Sequence, residues 1–346
     1  MIKVGVIGLG MMGSTHLDVY AKRDDVEVVA IADKDPQKLS GEVLALGNID
    51  GQASGGFDLH GADVKRYDEG RKLIRDKQID LVDICLPTPM HVSYARSALK
   101  AGKHVLIEKP VGRTLREAKR LAEIAAQAKG FIMPGMCMRF WPGWTWAKKA
   151  VTESTYGPVR AATFRRLSSP PNGTFYMDGS QSGGALLDLH IHDIDFIYHL
   201  FGLPASVTST GYTHLTGEID HVTTIYRFDS PMPALVTAEG GWDFDEGMPF
   251  TMTYAIEFEQ ATAVFDIAAA QTLTLYQAGH PPMPIPLEEG MGYDHEIDYF
   301  VKCVAEGRRP QRCTVEDALP ALQIADAERR SALSGRPVKL RASHSS

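Results

Sequence analysis

Ile2-Lys3-Val4-Gly5-Val6-Ile7-Gly8-Leu9-Gly10-Met11-Met12-Gly13 stands at the head of the chain, and its reading decides the fold. A short Val- and Ile-rich run ends in glycines spaced G-x-G-x-x-G, and a helical pattern over 11–22 follows directly. Each glycine has a mechanical reason in that setting. Gly8 permits a tight turn, Gly10 lets the backbone approach a pyrophosphate, and Gly13 lets the helix lie close on the strand. The first helical turn, which contains Met11 and Met12, presents N–H groups and the positive end of the helix dipole to an anion. Asp33 closes the next strand-like run twenty residues after Gly13, where ribose hydroxyls are expected. The glycine spacing alone is a weak sign; its place between strand and helix, with Asp33 beyond, points to a dinucleotide. A carboxylate accepts hydrogen bonds from both ribose hydroxyls and repels a 2′-phosphate, so NAD is expected in preference to NADP. Lys34 and Lys38 are the neighbours that could turn toward such a phosphate; the plainer reading is a solvated surface.

The surrounding pattern extends the same architecture. Runs at 26–33, 80–85 and 103–107 are short, rich in Val and Ile and nearly continuous in hydrophobicity, which suits strands covered on both faces of a parallel sheet. Helical patterns over 36–46, 67–77, 91–101 and 115–129 alternate with them, and this order predicts a doubly wound α/β domain over 1–133. The glycine-rich stretch 47–61 is too long for an ordinary connection and is expected to be an inserted surface loop. From 134 to 346 the expectation is an α+β domain with a large, mostly antiparallel open sheet. Its strands are placed at 159–167, 206–214, 222–228, 234–242, 251–258 and 261–267, many of them alternating apolar with polar residues. Helices are expected at 144–154, 186–201, 293–306 and 315–334.

Composition narrows the function classes. The 346 residues carry a net charge of −7, with 44% hydrophobic and 23% charged residues, which excludes collagen-like, coiled-coil and predominantly disordered chains. Mild acidity argues against nucleic-acid binding, which demands clustered Lys and Arg. No apolar run approaches the roughly 18–20 residues that span a bilayer, so no membrane partner is expected. The four cysteines form no C-x-x-C pair and no leader pattern is seen, so a reducing cytoplasm is the expected location.

Two further strand ends belong to the ligand rim of such a sheet. Leu86-Pro87-Thr88-Pro89-Met90-His91 leaves one, and its stiff turn, with Leu86, Pro87, Thr88 and His91, is placed beside the nicotinamide ribose. Glu108-Lys109-Pro110 leaves the next, where Lys109 could hydrogen-bond a substrate hydroxyl and the ribose. A salt bridge from Lys109 to Glu108 or another acid is the structural alternative.

The run 186–201 reads as one apolar helix with a polar stripe, since Asp188, His192, Asp195 and His199 share an arc at 3.6 residues per turn. Two acids and two imidazoles on one stripe are costly unless they meet water, ligand or each other. A purely structural stripe capped by a neighbouring element is the alternative, and His199 is expected to be structural. His192 suits a proton acceptor at neutral pH and Asp188, one turn earlier, could tune it. His190 and His192 resemble a metal-ligand pair, but on a helix they diverge by about 200°, so no metal is expected. Arg139-Phe140-Trp141-Pro142-Gly143-Trp144-Thr145-Trp146 offers Arg139 and flat aromatic faces to a sugar ring, with core packing as the alternative for each tryptophan. Met133, Met136 and Met138 are expected to pack.

Together the glycine motif, Asp33, Pro87-Thr88-Pro89 with His91, Glu108-Lys109-Pro110, and Gly183-Gly184 leading to Asp188 and His192 resemble the Gfo/Idh/MocA oxidoreductases, named for glucose–fructose oxidoreductase and inositol dehydrogenase. The closing segment with Gly335-Arg336-Pro337 is similar too. The resemblance implies an N-terminal Rossmann domain and a C-terminal sheet through which homodimers or homotetramers form. It implies sugar or cyclitol substrates, catalytic roles for Lys109, Asp188 and His192, and a cofactor contact at Glu108 and Lys109. Asp195 matches a position that can contact polyol; Arg139 and Trp141 are expected as substrate residues on their own chemistry, given above. His190 stands where many members have glycine and is expected to alter the substrate pocket. The function so implied is hydride transfer between a secondary alcohol of a sugar or cyclitol and NAD. Glycoside cleavage by transient oxidation and a non-catalytic sugar or nucleotide sensor are the alternatives.

Overall fold

The computed structural model describes residues 1–41 and 63–341. The chain divides into two units, Met1–Cys137 with Met291–Leu319, and Met138–Gly290 with Pro320–Ser346. The simple division expected at 133/134 therefore differs from the structure, because a late segment returns to the first unit.

That unit alternates strand and helix: β1 (Ile2–Ile7), α1 (Met11–Ala21), β2 (Val26–Ala32), α2 (Pro36–Ser40), β3 (Lys65–Tyr67), α3 (Gly70–Ile74), β4 (Leu81–Ile84), α4 (His91–Lys100), β5 (His104–Glu108), α5 (Leu115–Gln127) and β6 (Ile132–Gly135). The six strands form one parallel sheet in the order β3-β2-β1-β4-β5-β6. Val4, Val6, Ala30, Ile31, Leu81, Val82, Val105 and Leu106 are fully buried, as strands covered on both faces require. The strand order turns back at β1 and β4, so the carboxyl ends of those two strands flank the switch point where such sheets take ligands.

α2 stops at Ser40 because Gly41 takes the left-handed conformation at its end. The rest of the helix expected to 46, and the loop expected at 47–61, lie outside the described residues. The helix expected over 67–77 is shorter, forming only as α3, and Tyr67 instead ends the edge strand β3.

The second unit runs through α6 (Trp144–Thr152), β7 (Val159–Leu167), α7 (Thr174–Met177), α8 (Gly179–Ser182), α9 (Gly184–Asp188), α10 (Ile191–Phe201), β8 (Ser206–Tyr212), β9 (His221–Arg227), β10 (Leu235–Gly241), β11 (Thr251–Phe258), β12 (Thr262–Asp266), β13 (Leu273–Tyr276) and β14 (Met283–Pro284). α11 (Gly292–Ala305) then joins the first unit. α12 (Val315–Ser334) carries the chain back, and β15 (Val338–Lys339) ends the described part.

Nine strands form the second sheet in the order β14-β13-β12-β11-β7-β10-β9-β8-β15. Every pair in it is antiparallel except β7 with β10, which runs parallel. Burial alternates along β8, β9 and β11, so one face is covered and the other is open. Under the covered face, Trp144 packs edge-on against Phe196, Tyr254 and Phe265, with Phe164 beside it. Met133, Met136 and Met138 are buried. Among the described residues, no helix is long and apolar enough to cross a membrane.

Candidate active site

In the first unit, the glycine turn has the shape a pyrophosphate needs. Gly8 sits at φ +92°, in the left-handed region, and a Cβ there would run into the Cys85 carbonyl. A Cβ on Gly13 would collide with the Gly8 carbonyl oxygen, so only glycine lets α1 lie this close to β1. Gly10 is different. A Cβ there would meet nothing within 4 Å, so no protein packing demands a glycine at this point. α1 begins after Gly10 with no side-chain cap and no acid in its first turn, which leaves its leading amides to an anion. Asp33 stands at the end of β2, half-buried, and one carboxylate oxygen accepts the Leu9 amide at 2.7 Å. Lys34 is exposed. The residues therefore fit a dinucleotide: a cradle whose middle glycine has no internal reason, an open helix end, and an acid at the end of β2 tied to the turn.

The next two rim turns are tied together by His91. Its ring nitrogens lie 2.6 Å from the Leu86 carbonyl and 2.7 Å from the Pro110 carbonyl, and the residue is buried. Expected against the cofactor, His91 instead bridges the turns after β4 and β5. Thr88 is buried, Leu86 and Pro87 are half-buried. Lys109 is half-buried at the end of β5, and its amide donates to Glu108 Oε2 at 3.1 Å.

In the second unit, the single helix expected over 186–201 is broken. α9 ends at Asp188, α10 starts at Ile191, and both the Leu189 and His190 amides donate to the Ala185 carbonyl. The break reassigns the polar stripe. Asp188 and His192 are half-exposed on either side of it, whereas Asp195 and His190 are buried. Asp195 accepts Arg139 Nε at 2.8 Å and Nη2 at 2.7 Å, a two-pronged pair that is 1–3% exposed. Arg139 and Asp195, both expected to touch substrate, thus face each other in the interior. Trp141 is buried too.

His190, the third such expectation, is 0% exposed and lies 3.2 Å from Glu328 Oε2 and 3.4 Å from Tyr226 Oη. Burial alone would lower its pKa, but the charge and hydrogen bond of Glu328, with the Asp193 charge beside them, together outweigh that and raise it. Gly240 supplies the space, since a Cβ there would strike the His190 ring. His190 is packed among Tyr226 of β9, Gly240 of β10 and Glu328 of α12.

Two residues missed from the sequence hold this segment. Arg166 clamps Asp193 at 2.8 and 3.1 Å and lies over the Trp144 ring. Its signal was available: Ala162, Phe164 and Arg166 share the inward face of β7, and a charge there needs a partner. Asp220 organises the loop before β9, accepting amides of His214, Leu215 and Thr216, the Thr216 hydroxyl and the Trp242 indole at 2.7–3.0 Å. Burial alone would raise its pKa, but those donors hold it below the ordinary carboxylate value. That loop in turn receives the Gly179 and Leu186 amides on its Thr216 and Ile219 carbonyls. Gly184, at φ +69°, passes too close to Ile219 for any side chain. The Gly183-Gly184 pair is thus how the chain reaches Asp188.

A parallel α/β unit with a dinucleotide cradle, followed by an antiparallel sheet unit bearing a half-exposed acid and imidazole, defines a two-unit oxidoreductase. Residues 2–136 match the model of the oxidoreductase family with an NAD-binding Rossmann fold, and residues 144–264 match the Gfo/Idh/MocA C-terminal domain. The chain belongs to the Gfo/Idh/MocA family.

It is 26% identical over 354 residues to the inositol 2-dehydrogenase of Rhizobium meliloti (strain 1021), covering 98% of this chain and 99% of that one. It is 26% identical over 351 residues to the myo-inositol 2-dehydrogenase of Thermotoga maritima, covering 98% of each. Among solved structures, levoglucosan dehydrogenase in complex with NADH and levoglucosan superposes with a TM-score of 0.81 at 24% identity, covering 98% of this chain and 99% of that one. At that identity the likeness speaks for the fold.

Proposed function

We propose that this chain is an NAD-dependent dehydrogenase acting on a secondary alcohol of a sugar or cyclitol. Membership of the family and full-length similarity to inositol 2-dehydrogenases support the substrate class. The observation that carries the residue assignment is the contrast across the helix break. Asp193 and Asp195 are buried against arginines, while Asp188 and His192 keep half-exposed positions where a substrate can be met.

Bound nicotinamide supplies the hydride acceptor for the carbinol hydrogen. His192 takes the hydroxyl proton, a task suited to imidazole near neutral pH. Asp188, at the end of the preceding helical turn, orients that ring. Lys109 donates to the substrate oxygen and stabilises the negative charge that develops on it. Asp33 supports NAD over NADP, because its charge opposes a 2′-phosphate.

The test is a panel of sugars and cyclitols offered with NAD and NADP separately, followed by nicotinamide absorbance. His192→Ala is expected to lose most turnover while still binding NADH; near-normal turnover in that variant removes His192 from the chemistry.

A further inference from the structure

The helix of the glycine motif and the Lys109 turn are joined by buried side chains that no step above uses. His16, on the inward face of α1, hydrogen-bonds Asp83 Oδ2 through Nδ1 at 2.9 Å, and the Tyr20 hydroxyl donates to the same oxygen at 2.9 Å. Its other ring nitrogen lies 3.4 Å from Glu108 Oε1. Glu108 Oε2 in turn accepts the Lys109 amide. Glu296 of α11 completes the group, since His16, Glu108 and Glu296 each place a polar atom within 4.8 Å of the other two. His16 and Glu296 are fully buried, and neither Glu296 oxygen has a hydrogen-bond partner among the described residues.

Three acids around one imidazole cannot all carry charge in a dry interior. Burial and the neighbouring Glu108 charge drive the Glu296 carboxyl well above its ordinary range, so it keeps its proton. Burial works against the His16 imidazolium, but the charge and hydrogen bond of Asp83, with Cys85 beside it, more than offset this. His16 is therefore the cation of the group, and Glu108 faces it.

We propose that His16 and Glu108 are positioning residues for Lys109: one buried imidazole anchors α1 to β4 and, through Glu108, sets the main chain at Lys109 against the dinucleotide helix. The inference rests on the dehydrogenase reading of Lys109. A lysine ammonium on a flexible stem inherits its reach from its own backbone, and a misplacement of about 1 Å can cost about a hundredfold in rate.

His16→Asn and Glu108→Ala are to be compared with the wild-type protein. The readouts are kcat and KM on the best polyol, NADH affinity by fluorescence, melting temperature, and the acylation rate of Lys109 by an N-hydroxysuccinimide ester, read by peptide mass spectrometry. Both folded variants are expected to lose about tenfold to a hundredfold in kcat, with NADH affinity little changed. Lys109 labelling shifts in both, and Glu108→Gln, which keeps an acceptor for the Lys109 amide, recovers part of kcat. Unchanged kcat and labelling in folded variants overturns the proposal. So does a kcat loss matched by an equal loss of NADH affinity, or a stoichiometric metal ion in the purified wild type. If the wild type oxidises no polyol, the dehydrogenase reading fails, and the labelling of Lys109 still decides whether His16 positions it.

Discussion

The Asp33 carboxylate accepts the Leu9 amide at 2.7 Å, so the acid that ends β2 is pinned to the glycine turn. Its other oxygen accepts the Asp35 amide at 2.9 Å. The charge is thereby held in place and cannot swing aside for a phosphate. Asp33→Asn keeps an acceptor for Leu9 and removes the repulsion. The ratio of kcat/KM for NAD over NADP is expected to fall about tenfold, equivalent to about 1.4 kcal/mol, and steady-state kinetics with both cofactors measures it. An unchanged ratio would leave Asp33 with a purely structural part.

Gly10 and Gly13 should separate binding from folding. Gly13→Ala puts a methyl group into the Gly8 carbonyl and is expected to unfold or displace α1, seen as a lowered melting temperature. Gly10→Ala meets no protein atom within 4 Å and its backbone suits alanine, so the melting temperature should hold. NADH affinity should nevertheless drop in Gly10→Ala, as a fluorescence titration would show. Equal affinity there would mean that no ligand approaches this turn.

Glu296→Gln should stabilise the protein progressively as pH rises. The folded carboxyl holds its proton well above the ordinary range, whereas an unfolded glutamate releases it near pH 4.3. Below that pH both states are protonated and the substitution is neutral on this account. Above it the wild type loses roughly 1.4 kcal/mol per pH unit until the folded group ionises, and the amide does not. Thermal melts from pH 4 to pH 8 check this; a stability difference independent of pH would contradict a protonated Glu296.

The Arg139–Asp195 pair makes a prediction about stability rather than substrate. Removing one partner leaves a buried charge uncompensated, so Asp195→Ala is expected to cost about 3–5 kcal/mol in urea unfolding. The double replacement Arg139→Met with Asp195→Leu should recover most of that. A single variant of wild-type stability that instead raises KM for the polyol would return Asp195 to the substrate.

Much of the first unit was legible because its signals are local. Continuous apolar runs mark strands buried on both faces, and the glycine spacing marks the turn. Even so, Asp83 inside the run Leu81-Val82-Asp83-Ile84 was passed over, although an acid in a doubly covered strand must have a buried partner. The segment from Asp188 to Asp195 was harder. Helical periodicity placed Asp188, His192 and Asp195 on one stripe, but it carries no information on partners distant in sequence. Arg139, Arg166 and Glu328 claim Asp195, Asp193 and His190 from other elements, and the chain breaks at Leu189-His190 between them. The parallel pairing of β7 with β10 was invisible for the same reason, since alternation reports a covered face and not a neighbour.

The return of α11 to the first unit bears on how the chain is made. Glu296 closes over His16 and Glu108, yet all of Met138–Gly290 must leave the ribosome before it can do so. Until then the first unit lacks α11, and the His16–Glu108 group stays without the helix that covers it. A nonsense codon between those points would yield a fragment with every glycine of the nucleotide turn in place and no means of sealing the unit beneath it.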